Sequence, residues 1–284
     1  MRDASSLCRT VIAPVLMMAS VVLGGCSGNP LGLKPGATSV LDSVAAMPTP
    51  AEAVDMALDK YDAGRRYRGT QLLSNAAFAG EPLYVELFEG LLADKDPGVR
   101  GAAVRALGLH GRTDHVPRLA EMLGDSDVGV RTEAARALQR LHNPVAVQPL
   151  IAAIDPVKEV EPAVRLEAAR ALGQYPEPLV VEKLIAALAD ESLAVNAATV
   201  SSLRTLTGQD FGYERSAWQG WYGKSERPFE AGSVYVYEGY NRKRKWWEYI
   251  PLIPPPPHEP SAVPVGLDPT KYVPSTGGSP AGSR

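Results

Sequence analysis

The sequence predicts an all-α protein whose mature part is a solenoid of short helical repeats, and three observations predict it. Apolar residues make up 45% of the chain but aromatic residues only 7%, so the core formers are mostly Ala, Leu and Val, which suits packed helices better than sheets. The dipeptides Val99-Arg100, Val130-Arg131, Val164-Arg165 and Val195-Asn196 recur at spacings of 31, 34 and 31 residues, and a period in that range marks a stack of supersecondary units. Eight positions after each Val stands a Leu, at Leu107, Leu138, Leu172 and Leu203, where the same helix face returns.

The segments follow in chain order. Residues 1–25 have the pattern of an export signal: Arg2 and Arg9, an apolar run from Val11 to Leu23, then Gly24 and Gly25 before Cys26. The run is too short for a comfortable membrane span. Residues 26–50 are rich in Gly, Pro, Ser and Ala without a sustained period, the composition of a flexible tether. Residues 51–208 hold the repeats. Before each Val helix lies a second apolar helix, ending in Phe88 to Leu92, Leu119 to Leu123, Leu150 to Ile154 and Leu184 to Leu188. Tyr67-Arg68-Gly69, 32 residues before Val99-Arg100, marks a degenerate first copy. Neighbouring repeats must cover one another's apolar faces, because one helix pair cannot bury its own.

Residues 209–248 form a capping segment. Trp218, Trp221 and Tyr222 lie on a short helical pattern with both Trp on one face, an aromatic lid for the last repeat rather than a ligand-stacking site. Ser233 to Tyr237 alternates like a short strand. Arg242 to Trp247 is basic and aromatic, suited either to an anionic headgroup surface or to tucking its Trp residues against the solenoid. Residues 249–284 are Pro-rich, with Pro254 to Pro257 in succession. They are expected to be extended and disordered and to add nothing to core stability.

Two resemblances add to this reading. Leu23-Gly24-Gly25-Cys26 resembles the lipobox of bacterial lipoproteins, which implies cleavage before Cys26, lipid on its thiol and firm anchoring in a membrane. In that family an Asp after the cysteine retains the protein at the inner membrane. Ser27 stands here, so the expected location is the cell envelope, at the outer membrane facing the periplasm. The stretches Asp96 to Gly108, Asp127 to Leu138 and Glu161 to Gly173 resemble the HEAT-like repeat, particularly the short variety of phycobilisome lyases. The likeness covers residues 83–208 well and 51–82 loosely, and implies a right-handed α-solenoid of about four to five repeats.

Helical phase divides the arginines into two rows. At 100° per residue, positions 0, +4, +5 and +8 from each Val share the buried side, whereas +2, +3 and +6 share the opposite one. Arg100, Arg131 and Arg165 at +1 fall on the buried side. They resemble the arginine ladder of HEAT repeats, whose partners are turn carboxylates. Asp96, Asp127 and Glu161, three residues before each Val, are the candidates, either for an arginine or for the free N–H groups of the next helix. Arg105, Arg136 and Arg170 at +6 fall on the exposed side, by resemblance the concave surface, and are the candidate partner-binding row. Glu133 and Glu167 precede two of them by three residues and provide a local pairing as the alternative.

Chemistry is thinly represented. No nucleophile with a base, phosphate-cradling loop or paired-carboxylate arrangement is recognisable. Cys8 and Cys26 both precede the repeats, so the repeats have no disulfide or multi-cysteine metal site. His110, His115, His142 and His258 lack a companion ligand set, and His110 falls in a packing column with Leu141, Tyr175 and Leu206. No metal and no cofactor is expected. A formal charge of −3 argues against nucleic acid bound through an overall field. The reading that follows is a non-catalytic, lipid-anchored scaffold for an unidentified protein partner. A bilin lyase or isomerase and an envelope structural protein acting through its Pro-rich tail are the alternatives.

Overall fold

The computed structural model describes residues 48–239, 245 and 259–272. The chain parts into two units, 1–49 and 50–284, and the fold is that of the second. The export signal, Cys26, nearly all of the tether, and all of Arg242 to Trp247 except Lys245 lie outside the described residues.

Eleven α-helices occur among the described residues: α1 Pro50–Ala57, α2 Ala63–Ser74, α3 Pro82–Leu91, α4 Pro97–His110, α5 Val116–Glu121, α6 Val128–Arg140, α7 Val147–Ala153, α8 Pro162–Leu172, α9 Pro178–Ala187, α10 Leu193–Thr207 and α11 Arg215–Tyr222. The fold is an all-helical repeat solenoid. The long helices α2, α4, α6, α8 and α10 pack successively on one another as one layer, and the shorter α3, α5, α7, α9 and α11 lie on the other. The first helix among the described residues starts at Pro50.

Local chemistry sets the helix starts. The Asp96 carboxylate accepts from the Val99 N–H at 3.1 Å and Asp127 accepts from Val130 at 3.1 Å, so each caps a helix whose first N–H groups have no intrahelical partner. Pro residues open α3, α4, α8 and α9, where the missing N–H costs nothing. Glu161 departs from the expectation: it precedes α8 but makes no side-chain cap bond, its side chain being one methylene longer than the Asp at the equivalent turns. Helix α10 ends at Gly208, with φ 67°. A Cβ there would lie 2.1 Å from the Ala231 carbonyl oxygen, so both conformation and space require glycine.

The repeat columns account for the core. Val99, Val130, Val164 and Val195 and the four Leu eight positions on are all buried, with Ala and Gly at the crossings. A Cβ added to Gly108 would sit 2.8 Å from that of Ala137, and one on Gly173 would sit 2.8 Å from the Ser202 hydroxyl. The long helices therefore approach as closely as their backbones allow. The expected lid is present: Trp218 is fully buried, with Phe211 at 5.0 Å and Trp221 at 6.4 Å in edge-on contacts. Its indole N–H donates to the Gly212 carbonyl at 2.9 Å, which satisfies the polar end of a buried indole.

Two expectations for the C-terminal part need correction. Residues 233–237 are extended but form no strand; Tyr237 makes a single antiparallel bridge to Ala262. The Pro-rich region is not free of the solenoid between residues 259 and 267. Val265 donates to the Arg140 carbonyl at 2.8 Å and its own carbonyl accepts from His142 at 2.8 Å, and Pro264 and Leu267 are buried. The physical reason is that α6 ends at Arg140 with carbonyls that have no helical partner, and an extended chain supplies the missing donor. Composition alone does not reveal this.

Candidate functional site

The site is built on the two arginine rows. In the first, the Arg100 Nε and Nη2 donate to the two carboxylate oxygens of Asp125, both at 2.7 Å. Arg131 does the same to Glu159, at 2.7 and 3.1 Å, and Arg165 to Asp190, at 2.7 and 3.1 Å. Each also sends Nη1 back to the backbone carbonyl six residues earlier, that of Asp94, Asp125 or Glu159, at 2.9 Å. Every repeat is thereby tied both to its own turn and to the next repeat by two-pronged bonds.

The ladder arginines are the expected ones, but the carboxylates are not. Asp96 and Asp127 cap helices instead, and Glu161 does neither job. The partners are Asp94, Asp125, Glu159 and Asp190, five residues before each Val, a column that is acidic in all four copies. Arg66 adds a rung outside the Val-Arg column, donating to Asp94 at 2.7 and 2.8 Å. Its Nη1 reaches back seven residues, to Asp59, so one extra residue shifts this copy out of register; the column that placed Arg68 opposite Arg100 was wrong. At the far end Asn196 keeps only the return bond, to the Asp190 carbonyl at 3.0 Å. For all four ladder carboxyls, burial opposes ionisation, but the guanidinium bond and the N–H two residues on outweigh it and hold the pKa below the ordinary range.

The second row lies along a groove on the open face of the long-helix layer. One hollow of about 600 Å³ runs between α2, α4 and α6 and is lined by Tyr67, Gln71, Gly101, Arg105 and Glu133 among others. A second, of about 670 Å³, continues it past Arg136, Arg140 and Arg170 to Glu238 and Glu259, and shares Asn75, Arg105 and Glu133 with the first. Arg105 is exposed and has no partner among the described residues. Arg136 is not limited to its local pair: besides Glu133 at 2.9 Å it reaches Glu167 of the next repeat at 3.0 Å. Glu167, at the +3 position expected to be exposed, is only 6% exposed. The Gln139 amide donates to it at 2.8 Å, and Tyr235 lies close enough for the Glu167 charge to act on its hydroxyl.

Two segments after the repeats form one wall of this groove. Ser233 donates to the Thr205 carbonyl at 2.8 Å, at the end of α10. Tyr235 is buried, which raises its pKa well above the ordinary phenol. The Tyr237 ring lies 5.4 Å from the Arg140 guanidinium, and Glu238 pairs with Arg170 at 3.2 Å. Residues 259–267 lie beside this first segment: Tyr237 donates to the Ala262 carbonyl at 3.0 Å, and Glu259 pairs with the Arg140 Nη2. Gly266, with φ 91°, passes over Thr113 and the His142 carbonyl, where a Cβ would lie 2.3 and 2.9 Å away. Arg140, Glu238 and Glu259 were not candidates from sequence. The acids have no period, and nothing local connects them to the repeats.

The histidines of the solenoid hold structure. His110 bonds the Ser74 carbonyl at 2.7 Å, His115 meets the Arg112 backbone at 3.0 Å, and His142 stacks on Tyr175 at 4.9 Å. His258 lies outside the described residues.

Residues 85–161 match the HEAT repeats family model, and residues 164–190 match that of the PBS lyase HEAT-like repeat. No curated protein matches the chain. Among solved structures, the complex of CpcE and CpcF of phycocyanin lyase from Nostoc sp. PCC7120 is 22% identical, covering 61% of this chain and 80% of that one, with a TM-score of 0.38. A designed armadillo repeat protein is 17% identical over 62% of this chain and 92% of its own, with a TM-score of 0.44. YibA of E. coli is 20% identical over 78% of this chain and 89% of its own, with a TM-score of 0.45. The matched segments coincide with the repeat columns and the ladder, and between residues 85 and 190 the helical repeats are similar to HEAT repeats, the last of them to the PBS lyase HEAT-like kind.

Proposed function

We propose that this protein is a non-catalytic interaction scaffold, held in the cell envelope by lipid on Cys26, that binds a protein partner in the long-helix groove. One observation carries the reading: the ladder locks the repeats into a fixed frame, and the groove on that frame presents an exposed Arg105, without a partner among the described residues, beside the pairable Arg136 and Arg170. A rigid frame lowers the ordering cost of association, and HEAT repeats generally serve protein–protein contact. Membrane anchoring rests on the lipobox resemblance alone, and outer-membrane placement on Ser27.

Crosslinking in native membranes, followed by capture on the tagged chain, tests the proposal. The combined Arg105→Ala, Arg136→Ala and Arg170→Ala chain is expected to lose the partner that the parent chain retains. Equal capture by both removes the groove from the proposal. Cys26→Ser is expected to abolish lipid labelling and release the chain from the membrane fraction. Unchanged processing and fractionation overturns the anchor. An unchanged bilin absorbance spectrum on mixing with the purified protein is expected, and a new bound-state band would favour the lyase reading instead.

A further inference from the structure

The groove floor carries four arginines, Arg105, Arg136, Arg140 and Arg170, against two glutamates, Glu133 and Glu167, and the wall formed by residues 233–239 and 259–267 brings Glu238 and Glu259 to the second hollow. From these contacts we infer that this wall is a built-in competitor: an acidic, extended strap seated where the acidic, extended segment of a partner protein binds. The inference rests on the scaffold reading and adds to it the chemistry of the partner and the device that restrains its entry.

Three observations argue for it. The strap is held as a peptide ligand is held, by backbone bonds to the end of α6 and a carboxylate on Arg140, without joining the helical core. Its hold on the cations is incomplete. Each ladder arginine uses Nε and Nη2 together on one carboxylate, whereas Glu259 takes only the Nη2 of Arg140 and leaves the buried Nε without a partner. A carboxylate placed to take both would satisfy the seat better. Glu238, with its side chain 75% exposed, holds Arg170 from solvent, and so yields readily to a competitor. The seat is also continuous with the open hollow that ends at Arg105, so an incoming acidic segment can bind there first and extend into the strap's place.

An intrachain ligand competes at an effective concentration in the millimolar range, so weakening the strap should sharpen binding in trans. The probe is a fluorescein-labelled peptide of residues 259–268 of this chain, read by fluorescence polarisation against the full-length protein. The parent chain is expected to bind it weakly. Full-length Val265→Pro, which can no longer donate to the Arg140 carbonyl, is expected to bind at least about tenfold more tightly, and Gly266→Val to behave alike. Adding Arg140→Ala to either should abolish the gain, as should changing Glu259 to Gln in the peptide.

Equal affinity for the parent and both strap variants, or indifference to Arg140, overturns the competitor. So does loss of helical circular dichroism in both strap variants, because the strap would then be part of the fold rather than a displaceable occupant. Failure to capture a partner with either parent or variant chain, while the peptide result holds, would instead remove the scaffold reading.

Discussion

Arg131 and Arg136 lie five residues apart on α6 and illustrate how placement decides what an arginine does. Arg131 has a side chain 16% exposed against a Glu159 that is 7% exposed, and its removal leaves a carboxylate with little water, without its bonded guanidinium and with only the charge of Arg165 nearby. Arg131→Ala is expected to cost roughly 3 to 5 kcal/mol in denaturant unfolding. Arg136, 46% exposed, bridges to the buried Glu167, which keeps its Gln139 bond, so its replacement by Ala should cost only about 1 kcal/mol. Arg105→Ala should be neutral to stability. Equal costs for all three would invalidate the distinction between rows. The depressed carboxylates Asp94, Asp125, Glu159 and Asp190 make a further prediction at this scale. Their stabilisation is fully present above the unfolded pKa near about 4 and is lost as pH falls through the lower folded values. The melting temperature should therefore hold between neutral pH and about 5 as far as the ladder governs it, then fall steeply in acid. Asp125→Asn should flatten that acid limb.

At the scale of elements, glycines report how closely helices approach. A Cβ on Gly69 would lie 2.3 Å from the Ala57 amide nitrogen and 2.6 Å from the Ala53 carbonyl oxygen, both backbone atoms of α1. Neither can yield without moving that helix. Gly69→Ala is expected to destabilise by roughly 1 to 3 kcal/mol through overpacking. Gly101, in the middle of α4, offers the contrast. An added Cβ there meets only a Val130 methyl, at 3.9 Å, so Gly101→Ala should gain about 0.5 to 1 kcal/mol from reduced backbone freedom in the unfolded chain. Thermal melting of the two variants checks the pair. Stabilisation by both would mean that α1 does not pack on α2 as described.

For the whole molecule, repeat-to-repeat contacts run between neighbours, whereas the strap joins distant parts. Its residues 233–239 start beside the end of α10, its residues 259–267 reach the end of α6, and Glu259 meets Arg140 across 119 residues. It thus adds a long-range closure to an otherwise nearest-neighbour array. Ending the chain at residue 258 removes three backbone hydrogen bonds, an ion pair and the burial of Pro264 and Leu267. A loss of roughly 2 to 4 kcal/mol is expected, read as a melting temperature lower by about 5 to 10 °C. The His142 amide, which donates to the Val265 carbonyl, should then exchange with deuterium far faster. An unchanged melt and unchanged His142 protection would return this segment to the inert tail that its composition suggests.

The sequence by itself determined the period, the Val and Leu columns, the aromatic lid and the two arginine rows. Each is written in residues a few positions apart and repeated at a constant interval, so helical phase converts spacing directly into position. The tertiary structure alone decided which acid meets each ladder arginine. The columns three and five residues before the Val are both acidic in three copies, and only the approach of the next repeat brings the second within reach. It also placed Arg66 on the ladder despite one extra residue, buried Glu167, and seated Glu259 and Val265 on α6. Those contacts have no period and close over long separations, so no local pattern in the chain encodes them. They exist because the ends of packed helices leave carbonyls and charges that another part of the same chain can satisfy.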